Sequence, residues 1–387
     1  MTMTDVPPAT RARWAAVSAV AAGTFTIVTS EMLPVGLLTS ISSSLGVSDG
    51  TAGLTMTAPG LVAAVSAPVL ALATRGLDRR ITLLGLMAVL AVADLVGAFA
   101  PNLPVMLAAR VLTGVSIGGF WAFAAGLGAR LVPERSVGRA TSIILGGVSV
   151  ASVLGVPAAT LVSSFLGWRS AFAAMGVVAL ILMAVLYATL PPLPGQAPAR
   201  APGARRGGVS WRLTTLLAIT VLVVSGHFAA YTYLRPFLEQ VSHAGPALVG
   251  AVLLLYGAAG VAGNFAAGAR AARNPRPVLI TLVALMTLGM AALPTIGLPL
   301  AVLVVWGLGY GGVGVTLQLW IMREGGGEFG TALFVSAFNV SIALGALAGG
   351  RVVDGFSISA VMWLGAGLAV LSAAVAGIWG RSRTSGS

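Results

Sequence analysis

The sequence predicts an all-α membrane protein of twelve transmembrane helices in two six-helix bundles. Three observations carry this. Apolar residues are 57% of the chain, and they collect into runs of about 20, the length that crosses a ~30 Å hydrocarbon layer. The 22 basic residues are all Arg and fall mainly in alternate gaps between those runs. A stretch rich in Pro, Gly and Arg at 191–212 parts the runs six and six. Backbone polar groups in a bilayer core must be paired within their own segment. Runs this long without apolar–polar alternation are therefore helices and not barrel strands.

The predicted spans are 14–40, 51–73, 81–100, 105–128, 138–165, 170–190, 213–238, 247–269, 277–293, 299–322, 329–350 and 358–379. The expected units are an N-terminal bundle at 1–190, a linker at 191–212 and a C-terminal bundle at 213–387. One set of gaps holds Arg11, Arg13, Arg75, Arg79, Arg80, Arg130, Arg135, Arg139, Arg200, Arg205, Arg206, Arg212, Arg270, Arg273, Arg276, Arg323, Arg381 and Arg383. The other set holds Arg169 and Arg351, while Arg110 and Arg235 lie within or at the end of helices. Short Arg-rich loops stay on the cytoplasmic side, so both termini are expected there, in a bacterial inner membrane. This topology accounts for the net charge of +12, and no nucleic-acid partner is expected. The first run is too long for the core of a cleaved signal peptide. The absence of Cys removes disulfides, thiolate metal sites and cysteine nucleophiles. No cofactor or metal is expected, and the chain is expected to act as a monomer.

Charges inside apolar helices need a partner or a role. In the first span Glu31 is followed by Pro34, which removes a backbone donor and opens the helix locally. A carboxylate there can load and release a proton as access alternates; alternatively it faces an aqueous cavity or caps a neighbour. Asp94 in the third span and Arg110 in the fourth lie eight residues either side of Asn102, in the turn between Pro101 and Pro104. At ~1.5 Å per residue both are about 12 Å below that turn, which predicts an ion pair, either structural or switching toward Glu31. Arg110 shares a helix face with Gly114, Gly118 and Trp121, a candidate cavity wall where Phe120 and Trp121 can stack on a planar ligand or simply pack.

In the fifth span Gly147, Ala151, Gly155 and Ala159 recur every four residues, as do Gly260, Asn264 and Gly268 in the eighth and Gly345 with Gly349 in the eleventh. Such stripes let helices approach closely, within a bundle or as rocking contacts between bundles. In the seventh span His227, Tyr231 and Arg235 share a stripe, and Arg235 with Glu239 is spaced to pair. The tenth brings Trp306, Tyr310 and Gln318 among glycines, and the eleventh Asn339. Aromatic rings beside glycine suit a pocket for a flat, mostly neutral molecule.

Several strings carry a family resemblance: SEMLPVGLL (30–38), RVLTGVSIGGFWA (110–122), RLVPERSVGRA (130–140), GVP (155–157), GWRSAF (167–172) and YTYLRPF (231–237). Over nearly its whole length the chain resembles the drug:proton antiporter branch of the major facilitator superfamily. Within that branch it is most similar to the bacterial sugar-efflux and purine ribonucleoside efflux pumps. Two positions depart from the family pattern. The loop after the second helix reads ALATRGLDRR, with Arg75 where an acidic residue is expected and Asp78 three residues on, before Arg79. The helix-5 signature keeps Gly146, Gly155 and Pro157 but ends in Ala158 and Ala159. The resemblance implies gating roles at these positions and a cavity lined by helices 1, 4, 7 and 10, reached by Glu31, Arg110, His227, Tyr231, Trp306 and Tyr310, with Asp94 peripheral.

The expected function is proton-coupled efflux of small organic molecules by alternating access, with purine nucleosides or related flat drugs first. The alternatives are a broad antibiotic or sugar exporter, a facilitator without proton coupling, and, from other classes, a membrane-embedded enzyme or a sensor. Enzyme chemistry would need converging acids, bases or metal ligands near a loop. The two His and ten acidic residues are instead scattered.

Overall fold

The computed structural model describes residues 12–74, 76–195, 210–296, 299–324 and 327–379. Among them are twelve helices long and apolar enough to cross a membrane. They are α1 (Trp14–Leu45), α2 (Asp49–Ala73), α3 (Arg79–Ala98), α4 (Leu103–Leu131), α5 (Glu134–Leu166) and α6 (Trp168–Thr189). The second half comprises α7 (Trp211–Gln240), α8 (Pro246–Ala271), α9 (Pro275–Ile296), α10 (Pro299–Arg323), α11 (Gly327–Gly355) and α12 (Ile358–Trp379). Every predicted span is present. The expected linker is described only at 191–195 and 210–212, and Arg75 lies outside the described residues.

Local chemistry sets the ends. The first helix runs on past 40 and stops where Gly46 turns left-handed at φ 66°. The side chains of Asp78, Asn102 and Ser210 accept from the backbone N–H groups of Arg80, Val105 and Leu213 at 2.8, 3.1 and 3.2 Å. Each cap satisfies a donor that a helix start leaves open, worth about 1 kcal/mol. Gly167, at φ 79°, carries α5 into α6 in one residue. Three spans are irregular inside: α5 has a π-turn at Ala151–Gly155 just before Pro157, α7 breaks at Thr232–Tyr233 before Pro236, and α10 breaks at Gly312.

The buried apolar residues form two clusters of unequal reach. One, with Val20, Ile27, Leu83, Phe120 and Leu131, belongs to α1 through α6 at the end that bears the Arg-rich gaps. The other joins Leu33, Leu37, Met56, Trp168 and Phe172 of the first half to Phe228, Leu253, Trp306 and Phe334 of the second. The halves therefore share a core toward the Arg-poor end. Hydrogen bonds follow the same division. Asp354 of α11 accepts from the Ser48 hydroxyl at 2.7 Å and the Gly50 N–H at 3.0 Å. Gln240 donates to Asp49 at 2.9 Å, Arg235 to the Gly36 carbonyl, and the Tyr233 hydroxyl lies 3.4 Å from the Gly50 carbonyl. At the Arg-rich end, Arg79 and Arg130 bond within the first half, and Arg212, Arg276 and Arg323 within the second. The chain is closed at its Arg-poor end.

The glycines divide between packing and closure. Gly147 and Gly155 press on α1, and Gly345 and Gly349 on α7, so those stripes build each half rather than the contact between halves. Close approach between halves uses other glycines: Gly50 and Gly60 of α2 against α11, Gly53 against Tyr233, and Gly257 of α8 against the α5 π-turn, where a Cβ would stand 2.8 Å from Val153 Cα. Gly147→Leu is expected to lower stability by roughly 1–3 kcal/mol through overpacking against Ala21 and Thr24. Gly146→Leu, facing open space, is expected to leave it unchanged. Thermal unfolding of the two purified variants checks the contrast.

Candidate functional site

Near mid-span two groups of side chains come together, one from each half. In the second half, His227 and Tyr231 are one turn apart on α7 and Trp306 and Tyr310 one turn apart on α10. Glycines bring their helices into contact: Gly307 and Gly311 of α10 lie against the α8 backbone at Tyr256 and Gly260, and Gly309 against Leu282 of α9. The rings meet as a result. His227 stacks on Tyr310 with 3.3 Å between ring centres and 6° between planes, and lies 4.9 Å from Tyr231 at 21°. Trp306 stands across them at 76° and donates its indole N–H to His227 Nδ1 at 3.2 Å. Tyr256 joins the group 4.9 Å from Tyr231, and its hydroxyl is buried with no hydrogen-bond partner among the described residues. The sequence reading missed this ring. Tyr256 heads the Gly260–Asn264–Gly268 stripe at the same four-residue spacing, which is the signal that places it on that face.

In the first half the organising group is Arg110, 1% exposed. Proline has no N–H to offer the carbonyl four residues earlier. Pro34 thus frees Ser30, and Pro59 frees Thr55. Arg110 supplies both missing donors, Nη1 to the Ser30 carbonyl at 3.0 Å and Nε to the Thr55 carbonyl at 2.9 Å, and Nη2 adds the Glu31 carbonyl at 2.8 Å. The expected ion pair with Asp94 is not formed. The guanidinium is already taken up by carbonyls of α1 and α2, while Asp94 accepts the Ser30 hydroxyl at 2.6 Å through Oδ1 and keeps Oδ2 buried without a partner among the described residues. Among the described residues the ion pairs are Arg235–Glu239, as the spacing predicted, and Arg212–Glu324.

Glu31 is 5% exposed, and its carboxylate makes no hydrogen bond among the described residues. Arg110 and Tyr310 are both within its electrostatic reach. The carboxylate of one half is therefore within electrostatic reach of a ring of the other half's cluster.

The remaining expected residues divide by location. The α4 face of Arg110, Gly114 and Gly118 packs on α2 at Thr55, Pro59 and Ser66, so it is no cavity wall and Arg110 is not free for a ligand. Phe120 is buried against Gly23 in the first-half core, and Trp121 packs at its edge, with ring centres 6.5 Å apart. Both stand apart from the aromatic cluster. Gln318 is exposed, two turns from Tyr310 toward the Arg-rich end. Asn339 donates to Val335 of its own helix, and its backbone meets Gly60 where α11 touches α2. Asp78 holds the start of α3 and the Leu193 N–H, and Arg79 bonds Thr74 and covers the Phe123 ring, all within the first half. Gly146 makes no close contact, Gly155 packs on Thr29, and Pro157 follows the π-turn that meets α8.

Arg110→Leu would leave buried carbonyls unpaired at about 1–3 kcal/mol each. The expected outcome is a lower folded yield and melting temperature. Adding Pro34→Ala and Pro59→Ala, which return N–H donors to Ser30 and Thr55, should restore part of both in a thermal-shift assay. No gain from the alanines would remove the proline explanation.

Comparison with known proteins agrees with this architecture. A model of the Major Facilitator Superfamily matches residues 20–329. The chain is 34% identical over 386 residues to the transcription regulatory protein OpdE of Pseudomonas aeruginosa, covering 96% of this chain and 94% of that protein. It is 31% identical to the purine ribonucleoside efflux pump NepI of Salmonella typhimurium, over 94% of each chain. It is 34% identical to the inner membrane transport protein YdhP of Escherichia coli, over 91% of this chain and 93% of that one. The crystal structure of the human organic anion transporter MFSD10 (TETRAN) superposes with a TM-score of 0.68 at 18% identity, covering 94% of this chain and 99% of that chain, a likeness of fold. With a family match over most of its length and relatives at 31% and 34% identity along nearly all of it, the chain belongs to the Major Facilitator Superfamily and is a multi-pass membrane transporter.

Proposed function

We propose that the protein exports small, flat, mostly neutral organic molecules, purine nucleosides foremost, in exchange for protons. The observation that carries this is the aromatic cluster of His227, Tyr231, Tyr256, Trp306 and Tyr310, with the unbonded carboxylate of Glu31 in electrostatic reach of Tyr310. Stacked rings suit a planar solute. A carboxylate held with little water and no fixed partner suits a proton carrier whose access changes with conformation. A relative named as a purine ribonucleoside efflux pump supports the same substrate class.

In this reading the Arg-rich end is cytoplasmic, and the structure, closed at its Arg-poor end, is loaded from the cytoplasm. The two bundles, 1–190 and 213–387, rock about the 191–212 linker. Proton entry from outside then accompanies release of the solute. Glu31→Gln is expected to abolish inosine accumulation driven by a pH gradient in inverted vesicles while preserving inosine exchange without a gradient. Uphill accumulation by the mutant would rule out Glu31 as the carrier.

Stacking on an aromatic partner adds about 0.5–1.5 kcal/mol per ring beyond burial, so Tyr310→Ala should weaken inosine binding several-fold. A cationic dye tested alongside separates the readings. Selective loss of inosine supports a purine pocket, and equal loss of both supports a multidrug exporter. The relative named as a transcription regulatory protein favours one further reading, a sensor. Failure of the reconstituted protein to move nucleosides, sugars or antibiotics would support it.

A further inference from the structure

The aromatic cluster already has an occupant. The His227 imidazole lies flat on Tyr310 at contact distance, with Tyr231 and Tyr256 nearly parallel to it at 4.9 and 6.3 Å. Trp306 stands across the stack and gives its indole N–H to a ring nitrogen, Nδ1. The Tyr256 hydroxyl, in a residue 6% exposed, is buried without a partner among the described residues. Around one ring the chain thus assembles a stacking face, a donor for an aromatic nitrogen and an unused hydroxyl. Ring stacking and a placed donor are what recognition of a planar nitrogen heterocycle requires. The unused hydroxyl exceeds the needs of an imidazole, which is the five-membered half of a purine. A bicyclic ligand has a second polar edge to offer it.

We propose that His227 is an internal place-holder: its imidazole fills the slot that the five-membered ring of a purine-type ligand takes on entry. The ligand stacks on Tyr310, accepts from Trp306 Nε1 in place of His227 Nδ1 and bonds the Tyr256 hydroxyl through its second ring. His227 swings away. The proposal shares its substrate class with the export reading, yet it stands on the geometry of the slot. Its signature is competition. While the imidazole occupies the slot, the apparent affinity of a ligand is lowered by the fraction of time the slot is open.

Purified wild-type and His227→Ala proteins, titrated with imidazole, purine and benzene by calorimetry and thermal shift, test this directly. Imidazole and purine are expected to bind the alanine variant about tenfold more tightly than wild type. Benzene is expected to show no such gain, because it leaves the Trp306 N–H unpaired. Trp306→Phe added to His227→Ala should erase the preference for nitrogen-containing rings. Equal affinity in the two proteins, or an equal gain with benzene, overturns the proposal. Should the alanine variant not fold, wild type carrying isotopically labelled histidine is titrated with purine, His243→Gln assigning the two signals. The His227 nitrogen resonance is expected to move as its bond to Trp306 is lost, and an unmoved resonance overturns the proposal. Imidazole gain without nucleoside transport by wild type would remove the export reading alone. Transport without that gain would remove the place-holder alone.

Discussion

The first half of the molecule depends on one buried cation. In a bilayer a backbone carbonyl released by proline has no water to turn to. Pro34 and Pro59 release two such carbonyls on neighbouring helices, and Arg110 of a third helix reaches both while also holding the Glu31 carbonyl. Three helices are tied at one point. The Ser30 hydroxyl extends the tie to Asp94 and thus to α3. Glu31 gains its position from the same arrangement, its backbone clamped and its carboxylate free. Arg suits this place better than Lys, since a planar fork serves several fixed acceptors at once.

Much of this was legible in the sequence, and what was not has a physical cause. Span number follows from the length of the apolar runs, which any helix crossing a bilayer must share whatever its neighbours. The Asp94–Arg110 pairing failed because depth along a helix says nothing about direction around it. Both side chains do arrive at the same level, but on different atoms of Ser30. The local signal for Arg110 was the pair of prolines. Each proline marks a carbonyl in need of a donor, but sequence alone does not say which side chain of another helix supplies it. Tyr256 was overlooked because its stripe was judged by its small members. Phe120 illustrates the converse, since a ring next to a glycine-rich face is equally suited to filling a neighbour's glycine notch, as it does at Gly23.

The seventh span shows how a short string serves two ends of one task. In YTYLRPF the helix breaks at Thr232–Tyr233, so Tyr231 stays with the aromatic cluster while Tyr233 and Arg235 turn to the seal between halves. Gly53 leaves the space that the Tyr233 hydroxyl enters, and Ala346 accepts its proton at 2.7 Å. The aromatic cluster and the seal are therefore adjacent along the chain.

That closure is also collective. The bonds from Asp354, Gln240, Arg235 and Tyr233 to α1, α2 and the turn between them lie within one patch, so parting the halves there breaks them together. Each bond holds the groups of the others in register, so the patch opens and closes as a unit. At the opposite end the described arginines bond within their own halves and tie nothing across. Closure at this end is thus cooperative, held or lost as one contact between the halves.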